Sequence, residues 1–487
     1  MLARLRAFLE AKLPSGGFAR SVITLMTGTT FAQTLMILVA PILTRLYSPK
    51  DFGIFTLYSS VLGILAVVSC GRFELAIVLP EKDKDAANLL FLSILICFLM
   101  AGLTLLLAGF FRTWLANLLG APELAPWLWF LPLSLIAAGL FQAFNYWSIR
   151  RQQFSRLSAR TIMQSTVTAG AQILGGQTFH AGASGLIIGS IIGQLSATGR
   201  LAGQIIRDEG KSLRSFVNRS DIKRTLLRYK DFPIYSSWSG MLNTASTMLP
   251  VLLLGYFFTP AVVGYYALGH RVLTTPMGVI GGSIAQVFYP WANEAKYNGT
   301  LDRLTIDMFQ RLLAIGFVPI LLITIVAPDL FSLIFGARWV TAGEFVRWLS
   351  LWSLFVFISS PLSSLFSVME QQRAGLIINI IMFTTRLLAL IMGGIKGDAL
   401  YTIILFGITG AALWIGNCIY ILHLAGVGTG KAVTVIRDEV MQGLPYALLP
   451  LIIWYGSHSS LAFVVAGIGA GIIFLIVKGS RLVKKGI

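Results

Sequence analysis

Few residues in this chain could do covalent chemistry. The four histidines, His180, His270, His423 and His458, are too far apart to share a metal. No Ser-His-Asp, H-E-x-x-H or close carboxylate-pair motif stands out, so no catalytic residue, metal ligand or cofactor site is expected. Gly426-Val-Gly-Thr-Gly-Lys431 resembles a phosphate cradle, but Ala432 stands where a Ser or Thr should meet magnesium, and no buried strand precedes it. The remaining chemistry is charge held in apolar surroundings.

Arg271 and His270 lie about ten residues into the second of two membrane-length stretches between Asp231 and Ala292. At about 1.5 Å per residue that is close to mid-membrane. Arg271 opens a stripe through Thr275, Gly278, Gly282 and Gln286, which suits the wall of a water-filled cavity offering a cation to an anion; the competing reading is an arginine fixed by a nearby acid. Arg386, in MFTTRLLAL, lies at similar depth. Together the two would make a positive pocket for phosphate or carboxylate. Arg72 and Glu74 sit where the second span meets the cytoplasm, as a gate, a coupling-ion acid or a snorkelling pair. Arg45, at the outer end of the first span, reads as an interface anchor or gating residue.

The elements that position these residues are membrane helices. The chain has 487 residues, of which 56% are hydrophobic and 12% charged. The mean hydropathy is +0.78, far from a soluble composition. Cys70, Cys97 and Cys418 lie in apolar runs and read as buried, inert thiols. The reading is an all-α polytopic protein with about 14 transmembrane helices and both termini cytoplasmic. A net charge of +18 might suggest nucleic acid. It reads as topology, because Lys and Arg concentrate in one alternate set of loops. The opposite set carries only Arg45, Lys50, Arg112, Arg338, Arg347 and Lys396, while Arg200, Arg271 and Arg386 fall inside spans. Trp127, Trp129, Trp147, Trp291, Trp339, Trp348 and Trp352 read as interfacial belts.

Shifting the chain by 211 positions lays its first hairpin on a later one: Pro49 meets Pro260, Gly53 meets Gly264 and Leu57 meets Leu268. The copies share orientation, a parallel pseudo-repeat of the kind transporters use. The organisation expected is an N-terminal interfacial helix (1–20), a six-helix bundle (21–206), a basic cytoplasmic linker (207–231), a second six-helix bundle (232–425) and a C-terminal helix pair with a basic tail (426–487). Gly185, Gly189 and Gly193, with Gly467 and Gly471, form GxxxG patterns suited to close helix packing.

Several stretches carry a family resemblance, among them LTRLYSPKDFGIFTLYSS, GRFELAIVLPEKDKDAANLL, FNYWSIRRQQFSRLSAR and VVGYYALGHRVLTTPMGVIGGSIAQVFYPWANEA. Over about residues 20–425 the chain resembles Wzx-type oligosaccharide flippases, polysaccharide (lipopolysaccharide) biosynthesis proteins of the multidrug/oligosaccharidyl-lipid/polysaccharide exporter superfamily. The resemblance implies two six-helix bundles in a V around a cavity. It also implies alternating-access translocation of undecaprenyl-diphosphate-linked oligosaccharide across a bacterial inner membrane.

In that setting Arg271, Arg386 and His270 would hold the diphosphate or an acidic sugar, with Asn243, Gln33 and Gln286 bonding hydroxyls. Cavity arginines in the first, second and eighth helices of lipid II flippases carry over best to Arg271, with Arg45 and Arg72 in the corresponding helices. The partners implied are the lipid-linked oligosaccharide, membrane lipids, a coupling ion (proton or sodium) and polysaccharide polymerase machinery, and no nucleic acid. The extra C-terminal pair resembles a fourteen-helix layout. The alternatives are a cation-coupled multidrug or small-metabolite antiporter of the same superfamily, which should line its cavity with acids, a non-transporting synthase scaffold, and a membrane glycosyltransferase.

Overall fold

A computed structural model of the protein describes residues 17–178, 181–457 and 459–484. The side chains of 17–23, 219, 283, 286, 457 and 479–484 are outside the description, as is the interfacial helix expected before residue 17. The fold is all α-helical among the described residues, as hydrocarbon demands of a chain that must satisfy its own backbone groups. Two compact units divide it, Met1–Pro260 and Ala261–Ile487.

The first unit contains α1 (Gly17–Leu46), α2 (Pro49–Val68), the single turn α3 (Phe73–Ala76), α4 (Asp83–Leu118), α5 (Leu131–Arg150), α6 (Phe154–Thr178), α7 (Ala183–Phe216), α8 (Arg219–Arg228) and α9 (Ser237–Phe257). The second contains α10 (Pro260–Tyr297), α11 (Leu301–Phe335), α12 (Val340–Leu362), the turn α13 (Leu365–Val368), α14 (Gln372–Lys396), α15 (Ala399–Leu424), α16 (Thr429–Ser457) and α17 (Ser460–Lys484).

Fourteen of these helices have twenty residues or more, matching the spans expected from sequence. Ten are apolar enough to cross a membrane by composition, and α10, bent by 46°, is an eleventh if its two parts form one span. The others, α6, α7 and α16, are more polar, and polar side chains of α6 face a neighbouring helix. Gln172 and Thr168 of α6, for example, are buried against α7.

Local chemistry sets the helix ends. Ser48 and Asp51 form a reciprocal capping box in front of α2, with Pro49 in the first turn. Asp398 caps α15 by accepting from the Tyr401 amide at 3.1 Å. Successive left-handed residues, Gly71 (φ 59°) and Arg72 (φ 62°), break the chain between α2 and α3. The segment 207–231, expected as a linker, is helical: α7 runs on to Phe216, and α8 follows. Its charges are not simply solvated. Lys84 of α4 reaches Asp221 at 2.7 Å, Arg224 reaches Asp85 at 2.9 Å, and Arg151 joins Glu209 to Asp83 with both contacts at 2.9 Å. The hydrogen bond from Lys84 holds the Asp221 carboxyl below its usual range.

Small residues bring α1, α6 and α7 together. A Cβ on Gly189 would stand 2.6 Å from Gln172 Cγ, and one on Gly193 would stand 2.9 Å from the Thr168 amide nitrogen while overlapping its hydroxyl. The Tyr47 hydroxyl, at the end of α1, donates to the Gln172 carbonyl at 2.6 Å. The helix that opens the second sequence repeat, α9, packs on α2, with Gly255 against Leu57. In the second unit the helix pair α16 and α17 lies on α11, where Val318, Leu322, Ala470 and Phe474 form a core. Glu439, 3% exposed, accepts from Lys478 at 2.6 Å and ties that pair together.

Two stability measurements follow. Gly193→Val should cost about 1–3 kcal/mol by overpacking, read as a lower unfolding midpoint in detergent. Lys478→Ala, which strands a buried carboxylate, should cost about 3–5 kcal/mol, and the double replacement Glu439→Leu/Lys478→Met should recover most of it. An unchanged midpoint in Lys478→Ala would mean the pair does not hold these helices.

Candidate functional site

In the second unit α10, α12, α14 and α15 bring aromatic rings around an arginine. Tyr266 stacks on His270 one turn later, with centroids 5.3 Å apart and planes at 26°. His270 in turn stacks on Trp352 of α12 at 5.9 Å and 24°. Trp352 meets Phe406 of α15 at 5.6 Å. Arg386 of α14 sits 6.0 Å from the Trp352 ring and 5.8 Å from Phe406. These are cation–π distances, and Arg386 has no ion pair or hydrogen bond among the described residues. A cavity of about 280 Å³ opens beside Trp352, lined also by Thr274, Gly278, Ser353, Phe357 and Ser360.

Trp147, Trp339 and Trp352 depart from the interfacial-belt reading. They are 0%, 0% and 8% exposed, because each packs inside its unit. Trp352 is thus a site residue that sequence reasoning missed. Its neighbours come from three other helices, so no local pattern marks it. Trp129 (42%) and Trp291 (51%) are exposed, as a belt requires.

Arg271 diverges from His270 by about 100° around the helix. Its side chain is exposed and makes no ion pair or hydrogen bond among the described residues. Gly278 and Gly282, on the same stripe, face open space where a Cβ would stand. The stripe therefore borders an open region and is not locked by an acid. The Gln286 side chain lies outside the described residues.

The other expected site residues belong to the first unit. Gln33 is half-buried, and its Oε1 has no donor. Asn243 is exposed on α9, and Arg45 is exposed in the last turn of α1. Arg72 and Glu74 do meet, with Nη1 4.0 Å from Oε1 and side chains 21% and 0% exposed. A further cation emerges here. Arg160 of α6 is 7% exposed, with its guanidinium 3.4 Å from the Phe141 ring centre and its Nε without an acceptor. Charge counting assigns it to the cytoplasmic side. The signal that finds it is the four-residue stripe Arg160, Gln164, Thr168 and Gln172, which runs into the buried face of α6.

Chemically, the second unit offers Arg271 and Arg386 with no carboxylate partner among the described residues, Arg386 lying next to flat aromatic surface. Such a setting suits an anion attached to an apolar or sugar-like body. No group of three or more His, Cys, Asp or Glu that could hold a metal occurs among the described residues.

Known proteins resemble the chain at three levels. The inward closed conformation of the lipid II flippase MurJ superposes with TM-score 0.72 at 12% identity, covering 95% of this chain and 100% of that one. An inward-facing multidrug resistance MATE transporter of the MOP superfamily gives TM-score 0.59 at 15% identity, covering 82% and 96%. These likenesses show the fold, that of a multi-pass membrane protein. Teichuronic acid biosynthesis protein TuaB of Bacillus subtilis (strain 168) is 23% identical over 151 residues, 30% of this chain and 31% of TuaB, so the matched part spans about a third of that relative. The family described as "Polysaccharide biosynthesis protein" matches residues 42–344, well over half of the sequence. The chain belongs to the polysaccharide biosynthesis protein family, and its fold is the one seen in the MurJ and MATE structures.

Proposed function

We propose that the protein moves undecaprenyl-diphosphate-linked oligosaccharide repeat units across the bacterial inner membrane, by alternating access, for assembly of a surface polysaccharide. The observation that carries this reading is the pair Arg271 and Arg386, two cations on membrane helices with no carboxylate partner among the described residues. An uncompensated guanidinium in an apolar setting is costly, so a helix retains it where an anion visits. In this reading Arg386, with His270 and Trp352 behind it, and Arg271 on the neighbouring stripe bind the diphosphate or an acidic sugar. Gln33, Asn243 and Gln286 bond hydroxyls, and Arg160 offers a further anion contact in the first unit. Arg72, Glu74 and Arg45 act in gating or coupling. The prenyl chain remains in lipid.

A second reading, a cation-coupled multidrug or small-metabolite antiporter, has one observation in its favour: the buried acid Glu74. A cationic substrate would be repelled by Arg271 and Arg386, so the flippase reading fits the charges better.

Cells lacking this protein should accumulate lipid-linked repeat units on the cytoplasmic leaflet. Normal appearance of those units on the periplasmic leaflet would sink the reading. Arg271→Ala and Arg386→Ala should each lower surface polysaccharide about tenfold or more, the loss expected on removing one charge-assisted hydrogen bond of roughly 1.5–3 kcal/mol. Lysine at either position should restore part of the export, measured at equal protein level in the membrane.

A further inference from the structure

Glu74 is the most deeply buried acid among the described residues of the first unit. It sits on α3, between the spans α2 and α4, and its side chain is 0% exposed. Neither carboxylate oxygen has a hydrogen-bond donor. Its nearest cation, Arg72, is 4.0 Å away, beyond hydrogen-bond reach. An ionised carboxylate placed so would lose its hydration without replacement, which favours the protonated form.

The surroundings connect this acid to a helix opening. Arg72 holds left-handed backbone, a conformation disfavoured for a side chain of its size, and its Nε is buried without an acceptor. Its guanidinium lies against Gly240 of α9, where a Cβ would overlap Nη2 and stand 2.8 Å from Cζ. The α9 helix is entered through a π-helical turn, Phe232–Ser236, and α3 packs on that turn. Such turns lack a regular i→i−4 ladder and recur where helices do work. The chain between α3 and α4 is held in place: Arg150 of α5 donates to the carbonyls of Pro80 at 2.5 Å and Glu81 at 3.2 Å.

We infer that Glu74 is a proton-binding site, and that its charge state decides whether the Arg72 guanidinium rests on Gly240 of α9 or is drawn to the carboxylate. Deprotonation turns a 4.0 Å approach into an attractive pair that can close to about 2.8 Å, withdrawing the guanidinium from α9. The titratable and charged groups facing Glu74 are Cys70 and Arg72 on its own segment, Cys97 from α4, and Tyr146 from α5. The π-turn presents no charged side chain, and Asp231 before it is exposed.

Burial pushes the Glu74 carboxyl up to about 7, with the Arg72 charge pulling only partly the other way. The sign for stability follows. The raised value makes the protonated form the one that fits the fold, so its contribution is full below 4.5 and is lost as pH rises through about 7. Coupling of this site to transport rests on the flippase reading; the proton site itself does not.

The test titrates the full chain in liposomes by difference infrared spectroscopy of the protonated carboxyl stretch. A band lost with a midpoint near 7 and absent from Glu74→Gln is expected. In Arg72→Gln that midpoint should rise by about one pH unit or more, because the cation that favours the charged form is gone. Arg72→Lys serves if Arg72→Gln does not fold, and should shift the midpoint less. A probe on Ser239 should change its environment with the same midpoint in the parent, and lose that response in Glu74→Gln. A band unaffected by Glu74→Gln, a midpoint near the ordinary 4.5, or a Ser239 signal independent of Glu74 would overturn the inference. Leaflet assays that show no lipid-linked substrate moving, with the titration intact, would instead count against the flippase reading alone.

Discussion

A guanidinium in a membrane helix needs a negative partner, and the placement of partners organises this molecule. At one end of the first unit several cations have one: Arg150 and Arg151 share Asp83, and Lys84 and Arg224 converge on Asp221. These contacts, with Arg151 to Glu209, join α4, α5, α7 and α8. Other cations lack one among the described residues. Arg160 has only the Phe141 ring, Arg386 only Trp352 and Phe406, and Arg271 no ion pair among the described residues. Aromatic faces give such cations partial compensation without neutralising them, which leaves charge available to a visiting anion.

Much of this was legible in the sequence because hydrocarbon reads composition so directly. Apolar runs located the fourteen long helices, and the Ser48-Pro49 and Thr259-Pro260 pairs marked two helix starts. Glycine spacing in α7 announced contacts that Thr168 and Gln172 complete. Arg271 and Arg386 stood out as charges in apolar runs, and the family resemblance agrees with the family match over residues 42–344. What was not legible depended on partners distant in sequence. Trp352 looks like any interfacial tryptophan until His270, Arg386 and Phe406 surround it. The segment 207–231 looks like a solvated loop until its acids and bases find Lys84, Asp85 and Arg151. Arg160 resembles its cytoplasmic neighbours in all but helical phase.

The two units distribute these features unequally. The aromatic stack, Arg386 and the cavity beside Trp352 belong to the second unit; the buried acid Glu74 and the strained Arg72 belong to the first. A division between anion recognition and proton response would let each be altered by substitution without disturbing the other. The sequence repeat therefore relates scaffolds whose side-chain chemistry has diverged: His270-Arg271 in one copy stands where the other has Ser59-Ser60.

The close contacts among α1, α6 and α7 have a mechanical consequence. Gly28 meets Ser158, Gly189 meets Gln172 and Gly193 meets Thr168, each with too little room for one added methyl group. Surfaces meshed that tightly cannot slide past one another without unmeshing, so these three helices behave as a single beam. Compliance in the first unit is then left to α9, whose π-helical entry spaces its hydrogen bonds irregularly and whose Gly240 bears on a side chain rather than on a backbone. A beam with one soft edge converts a local push at that edge into rotation of the whole, with little energy lost to internal deformation.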